Sequence, residues 1–161
     1  MSGKPEPSFF VLIAADADRN RLYLPSAFEL VKYRLARKQW GLKDRTRYRR
    51  MMKPGDQALI YISGYREHAQ HFVASATIAS SCTYNTGGVV GSPVLQTAIL
   101  SEFKIELKNA HFFSKPVCAR DLLHKFKFIA PNRRKMWRIY FQGGAIRLKT
   151  VDFNLVKRLG Q

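Results

Sequence analysis

Two carboxylates and a lysine fall in an order that could do chemistry. Asp56 follows a Pro-Gly turn, and Glu106-Leu107-Lys108 comes on a later segment. In an Asp…Glu-x-Lys set of this kind the carboxylates hold Mg²⁺ at a phosphate and the lysine orients an attacking water. Such a Mg-dependent nuclease needs a less degenerate match than this one. Glu102-Phe103-Lys104 fits equally well, as any strand alternating charged and apolar residues does, and Asp56 also has a turn to make. His68 and His71 are three apart and, with Cys82, carry ligand atoms for a metal. No Cys-x-x-Cys or His-Glu-x-x-His accompanies them, so loop histidines and no bound metal or cofactor is the simpler reading. Asp16, Asp18 and Asn20 alternate as the start of a calcium loop does but lack its Gly and distal Glu. No Gly-x-Ser-x-Gly elbow is present. His111, His124, Cys82 and Cys118 have no adjacent catalytic partner in sequence.

Binding chemistry is better represented. Lys43, Arg45, Arg47, Arg49, Arg50 and Lys53 crowd one segment, opposed only by Asp44, and Arg133-Arg134-Lys135 forms a second run. Cations in such runs neutralise phosphates and gain affinity by counterion release, without reading sequence. Specificity needs flat apolar walls, and Trp40, Tyr61 and Trp137 are candidates, with Ser63 as a hydrogen-bonding group for a base edge. Tyr61 and Ser63 share one face of a regular strand. Residue type alone fits the three rings equally well as core anchors. A methylated base would gain about 0.8 kcal/mol from one buried methyl in such a cage.

The elements that must position these groups are legible in part. Residues 1–8 read as a tail. Phe9 to Ala14 is a continuous apolar run, which fits a central strand. Pro25 or Ser26 starts a helix with Phe28, Leu30, Val31 and Leu35 inward and Lys32, Arg34, Arg37 and Lys38 outward, ending near Trp40. Pro54-Gly55-Asp56 is a turn before a strand over 57–63. Another strand follows over 72–80. Gly87, Gly88 and Gly91 mark a flexible connection or lid. Strands over 101–107 and 110–115 follow, the second ended by Pro116. A short helix covers 119–126. A last helix is capped by Thr150, with Asp152 in its first turn and Phe153, Val156 and Leu159 inward.

The 161 residues fit one domain over 9–161. Lys and Arg number 28 against 11 Asp and Glu, a net charge of +17. That excess points to a polyanionic partner, most simply nucleic acid. No apolar run approaches the roughly 20 residues of a membrane span, and the N-terminal segment lacks a signal-peptide core. The two cysteines fit a reducing, cytoplasmic setting. A pocketless basic adaptor is a further reading that the charge alone allows.

Trp40-Gly41-Leu42, the basic linker, Met52-Lys53-Pro54-Gly55-Asp56 and Tyr61-Ile62-Ser63-Gly64 together resemble the EVE domain, a PUA-like family related to YTH domains. Phe126-Lys127-Phe128-Ile129, Arg133 to Trp137 and Phe141-Gln142-Gly143-Gly144 through Leu148 look like the closing segment of small EVE proteins. The resemblance implies an α+β fold: a mixed, mostly antiparallel β-barrel with about three flanking helices. It implies a pocket for a modified base in DNA or RNA, without catalysis. Trp40 matches a pocket-wall position, and Leu42 and Thr46 match its rim. The link from Trp40 to Gly55-Asp56 is shorter than in larger EVE proteins.

Overall fold

A computed structural model describes residues 5–16, 24–85 and 102–161. Asp18, Asn20 and the glycines at 87, 88 and 91 lie outside these. Among the described residues seven strands form one curled sheet: β1 (Phe9–Ala14), β2 (Gln39–Leu42), β3 (Gln57–Ile62), β4 (His71–Ile78), β5 (Thr83–Tyr84), β6 (Phe103–Cys118) and β7 (Ala145–Leu148). Their order is β2-β6-β4-β3-β1-β7, with β5 also on β6. β1 and β3 run parallel and the other pairs antiparallel. Helices α1 (Ala27–Ala36) and α2 (Thr150–Gly160) flank the sheet, with 3₁₀ segments at Ala119–Leu122 and Pro131–Phe141.

The apolar run of β1 buries both faces, as its composition requires. Phe10, Leu12 and Ala14 join a core with Val31 and Leu35 of α1 and Trp40 of β2. Val11 joins a second core on the other side, with Tyr61, Phe72, Phe126, Trp137, Phe141 and Phe153. β3 alternates in the same way: Ala58, Ile60 and Ile62 face the first core, Leu59 and Tyr61 the second. This alternation decides where any pocket can be.

Ser26 caps α1 in a reciprocal capping box with Glu29, at 3.2 and 3.0 Å. The expected outward face of α1 loses one member, because Arg34 is buried. The two oxygens of Asp16 accept from the backbone N–H of Ala27 and Tyr65, tying the end of β1 to the start of α1 and to the segment after β3. The tail ends before Ser8, whose N–H donates to Asp56 and whose carbonyl accepts from Gln57.

The two strands expected over 101–115 are one strand, β6. Its ladder with β4 jumps from Phe112 to Val117, so Pro116 sits in a bulge where its missing N–H costs nothing. Thr150 starts α2 without capping it. The Asp152 carboxylate instead accepts from the N–H groups of Lys127 and Phe128, at 2.8 and 3.0 Å, and Leu159 is exposed.

Candidate nucleic-acid interface

The Pro54-Gly55 turn, with Gly55 at φ +96°, delivers Asp56 to a fully buried position. Its carboxylate accepts from the N–H of Ser8 (2.9 Å), the N–H of Lys53 (3.1 Å) and Nζ of Lys53 (3.1 Å). A buried carboxylate with three donors is a structural clamp and has no lone pair aimed at solvent for a metal. Glu106 accepts from Gln39 at 3.3 Å and pairs with Lys104 at 3.5 Å. Among the described residues no three His, Cys, Asp or Glu side chains converge. His68 packs edge-on to Phe28, and His71 Nδ1 meets the Ala69 carbonyl. The nuclease set therefore loses Asp56 to the turn.

Between β2 and that turn, residues 43–51 fold into two linked turns. Lys43 N–H donates to Thr46 Oγ1, Thr46 N–H to the Lys43 carbonyl, and Met51 N–H to the Tyr48 carbonyl. Tyr48 sits at φ +65°, a region that bulky side chains enter only when their surroundings hold them there. Arg49 is not a surface cation. Its Nε donates to the Asp44 carbonyl (3.0 Å), its Nη2 to Asp44 Oδ1 (2.8 Å), and its guanidinium lies 3.8 Å over the Phe103 ring. It is removed from the expected phosphate-binding set, and Lys53 is engaged with Asp56.

The same loop closes the sheet. β2 and β7 are the two ends of the strand order, and Thr46 packs on Gly144 just before β7. A Cβ at Gly144 would come within 3.2 Å of the Thr46 side chain, and its φ of +87° favours glycine independently. Gly144 in turn accepts from Ile13 N–H on β1. Thr46 thus lies on the seam between the loop and the end of the segment that carries the second basic run.

A cleft of about 360 Å³ opens on this loop, lined by Asp44, Thr46, Tyr48, Arg49, Arg50 and Met51. That is the lower end of the size range of small-ligand sites, roughly 300–1,000 Å³. Tyr48 is 37 % exposed and Met51 46 %, so a ring and a thioether present apolar surface there. Lys43, Arg45, Arg47 and Arg50 of the same loop are exposed, Arg50 in the cleft lining, and none pairs with a carboxylate among the described residues. In the second run Arg133 and Lys135 are exposed. Arg134 is half-buried, with Nη2 on the His124 carbonyl and Nε buried without a partner.

The expected pocket of three rings is not assembled. Trp40 and Leu42 are buried in the first core, Tyr61 and Trp137 in the second, on the opposite side of the sheet. Tyr61 stacks on Phe141 with centroids 4.1 Å apart, and Trp137 meets that same ring edge-on at 5.8 Å. Burial pushes the Tyr61 hydroxyl well above its ordinary range. Ser63 is half-buried just past β3, with its N–H on the Ala14 carbonyl. Of the expected site, the loop brings together Thr46 and the cations, and it supplies a ring not expected from the sequence, Tyr48. Its signal was present: a tyrosine interleaved with Arg47, Arg49 and Arg50.

Arg34 is the other surprise. Only 8 % of it is exposed. Its guanidinium carbon lies 4.8 Å from the centre of the Trp40 ring, and its buried Nε has no hydrogen-bond partner among the described residues. Desolvation lowers its pKa from the ordinary arginine range to about 10. Cation–π attraction and the C-terminal end of α1 offer up to about 2 kcal/mol each. Burying an ion costs several kcal/mol, so neither compensates fully for a missing carboxylate.

No family model and no curated protein matches this chain. Solved structures do. The human THYN1 protein in complex with 5-methylcytosine-containing DNA superposes with a TM-score of 0.62 at 12 % identity, over 96 % of this chain and 98 % of that one. The DUF55 domain of human thymocyte nuclear protein 1 gives 0.59 at 13 %, over 96 % and 99 %. A protein from Agrobacterium tumefaciens gives 0.57 at 13 %, over 95 % and 92 %. The fold is an α+β curled mixed sheet with flanking helices, shared with these structures.

Proposed function

We propose that this chain binds nucleic acid without catalysis, taking an unstacked base of DNA or RNA into the cleft over residues 43–51. Tyr48 and Met51 would face the base, and Lys43, Arg45, Arg47 and Arg50 would hold phosphates around it. Arg133 and Lys135 would extend the phosphate track. The observation that carries this reading is a solvent-reaching tyrosine on a loop with four exposed cations that pair with no carboxylate among the described residues. A net charge of +17 supports it, as does a likeness in fold to a protein solved with 5-methylcytosine-containing DNA. Recognition of a modified base is the finer part of the proposal. A methyl group against Tyr48 and Met51 would add about 0.8 kcal/mol.

The test is affinity for oligonucleotides carrying plain or modified bases, across a salt series. Expected is a linear fall of log affinity with log salt, and a preference among bases that Tyr48→Ala removes while the salt slope stays. Binding that salt abolishes and that is blind to the base, in wild type and variant alike, would overturn the cleft and favour a pocketless basic adaptor.

A further inference from the structure

We infer that the groove along α2 is a docking site for an acidic, amphipathic segment of a partner protein. A cleft of about 720 Å³ opens there, between α2 and the turn at Lys125, and it shares no lining residue with the cleft over residues 43–51. Positions four apart share a helix face, and α2 carries two such rows side by side. Val151, Leu155 and Leu159 make an apolar row, and Thr150, Asn154 and Arg158 a polar one. The buried face of the helix is a different one, with Phe153, Val156 and Gly160. Val151 is 55 % exposed and Leu159 41 %. The apolar row thus reaches solvent over about 12 Å, at a rise of roughly 1.5 Å per residue.

The opposite wall is fixed. Asp152 accepts from the N–H groups of Lys127 and Phe128, which holds the segment after Lys125 against the first turn of α2. The same clamp occupies the one acid that α2 contains. Lys125 and Arg158 line the cleft, are exposed, and pair with no carboxylate among the described residues. Lys127 and Lys149, next to the lining in sequence, are exposed too. A surface that is aliphatic and cationic at once is complementary to leucine-type side chains flanked by carboxylates, docked as a helix in a groove. Nucleic acid would leave the apolar row unused, and no aromatic ring lines the cleft for a base to stack on. A second copy of the chain, in a symmetric pair through this groove, would set Lys125 and Arg158 against cations. A flat bilayer surface does not enter a concave cleft.

The test uses the full chain and a fluorescein-labelled helical peptide of about 15 residues, with leucines at i, i+4 and i+7 and glutamates beside them. Compared with it are the same peptide with serine for leucine, the same peptide with glutamine for glutamate, a single-stranded oligonucleotide, and vesicles of phosphatidylcholine and phosphatidylserine. Expected is saturable micromolar binding of the acidic peptide, with NMR amide shifts at Lys125 and over residues 150–159. Each altered peptide should bind at least about tenfold more weakly. Val151→Gln with Leu159→Gln should lose at least about tenfold for the acidic peptide and leave oligonucleotide affinity unchanged. Lys125→Gln with Arg158→Gln should lose as much for the peptide. Should a variant fail to fold, the two altered peptides on the wild-type chain decide the same point. No saturable binding, equal binding of the serine peptide, or shifts centred on residues 43–51 overturns the proposal. So does oligonucleotide binding, vesicle binding or self-association in sedimentation that Val151→Gln with Leu159→Gln abolishes, since each would identify a different occupant.

Discussion

Arg49 is fastened to Asp44 twice, through the side chain at 2.8 Å and the backbone carbonyl at 3.0 Å. An arginine spent in this way shapes the loop and does not grip phosphate. Arg49→Gln should therefore lower stability by about 1–2 kcal/mol, a figure kept small because Asp44 is itself mostly exposed. The slope of log affinity against log salt should stay as in the wild type. Arg47→Gln and Arg50→Gln should do the reverse: stability unchanged, and the slope lowered by about 1 for each arginine replaced. Urea unfolding and filter-binding salt series on the three variants decide this. A slope reduced by Arg49→Gln at full folding would return it to the phosphate set.

Tyr48 at φ +65° carries backbone strain of about 1–3 kcal/mol. Tyr48→Gly should relieve part of it and raise the urea midpoint. It should also weaken oligonucleotide binding by the worth of one base stack, about 1–3 kcal/mol, or roughly 5- to 150-fold. A variant that is more stable yet binds less well separates the ring's service to a ligand from any service to the fold. Unchanged affinity would show that no base stacks there.

Trp40 offers the opposite case. It is among the largest fully buried side chains, on the far side of the sheet from Tyr61. Trp40→Ala should cost about 3–5 kcal/mol, enough to unfold much of a marginal domain. A folded Trp40→Ala chain that binds nucleic acid but no longer tells bases apart would reinstate Trp40 as a pocket wall.

What was legible in the sequence was local. The apolar run of β1, the Ser26–Glu29 capping box and the Pro54-Gly55-Asp56 turn each carry their cause within a few residues. What was not legible depends on partners distant in the chain. Trp40 and Tyr61 lie on opposite faces because β2 and β3 present them so in one curled sheet, and no spacing within either strand reveals that. β6 reads as two strands because Lys108-Asn109 breaks the alternation; there Asn109 takes φ +52° and the register with β4 shifts between Ser75 and Thr77, yet the ladder continues, which only the pairing reveals. Arg34 was nearer to reach. It stands four residues after Leu30, on the apolar stripe, but its charge argued for the outside. For Asp56 the turn role was legible, but the donor from Ser8, 48 positions away, was not, and the sequence alone left a metal-binding alternative open.

Asp56→Asn tests that last point. The amide keeps the shape of the carboxylate but turns one acceptor into a donor facing the donors of Ser8 and Lys53. The cost should be about 1–3 kcal/mol, seen as a lower urea midpoint. Any cleavage of nucleic acid in Mg²⁺ that vanishes in a fully folded Asp56→Asn chain would contradict the clamp.

Arg34 makes stability depend on pH at the alkaline end. Its pKa in the folded chain, about 10, lies below its ordinary 12.5, so folding disfavours the charged form. At neutral pH both states are protonated and the folded state carries the whole cost, about 3 kcal/mol at 1.36 per unit. Above about pH 10 the folded state releases the proton first, and the cost fades as pH climbs toward 12.5. Arg34→Met removes the ion and fills the space beside Trp40, so it should stabilise the chain by about 1–3 kcal/mol at pH 7. The gap between variant and wild type should then narrow at pH 10–11. Tyr61, whose raised pKa makes folding lose stability above its ordinary value of 10, is present in both chains and cancels in the difference. A gap that stays constant with pH, or an Arg34→Met chain less stable than the wild type, would mean that Trp40 and the end of α1 already satisfy the guanidinium.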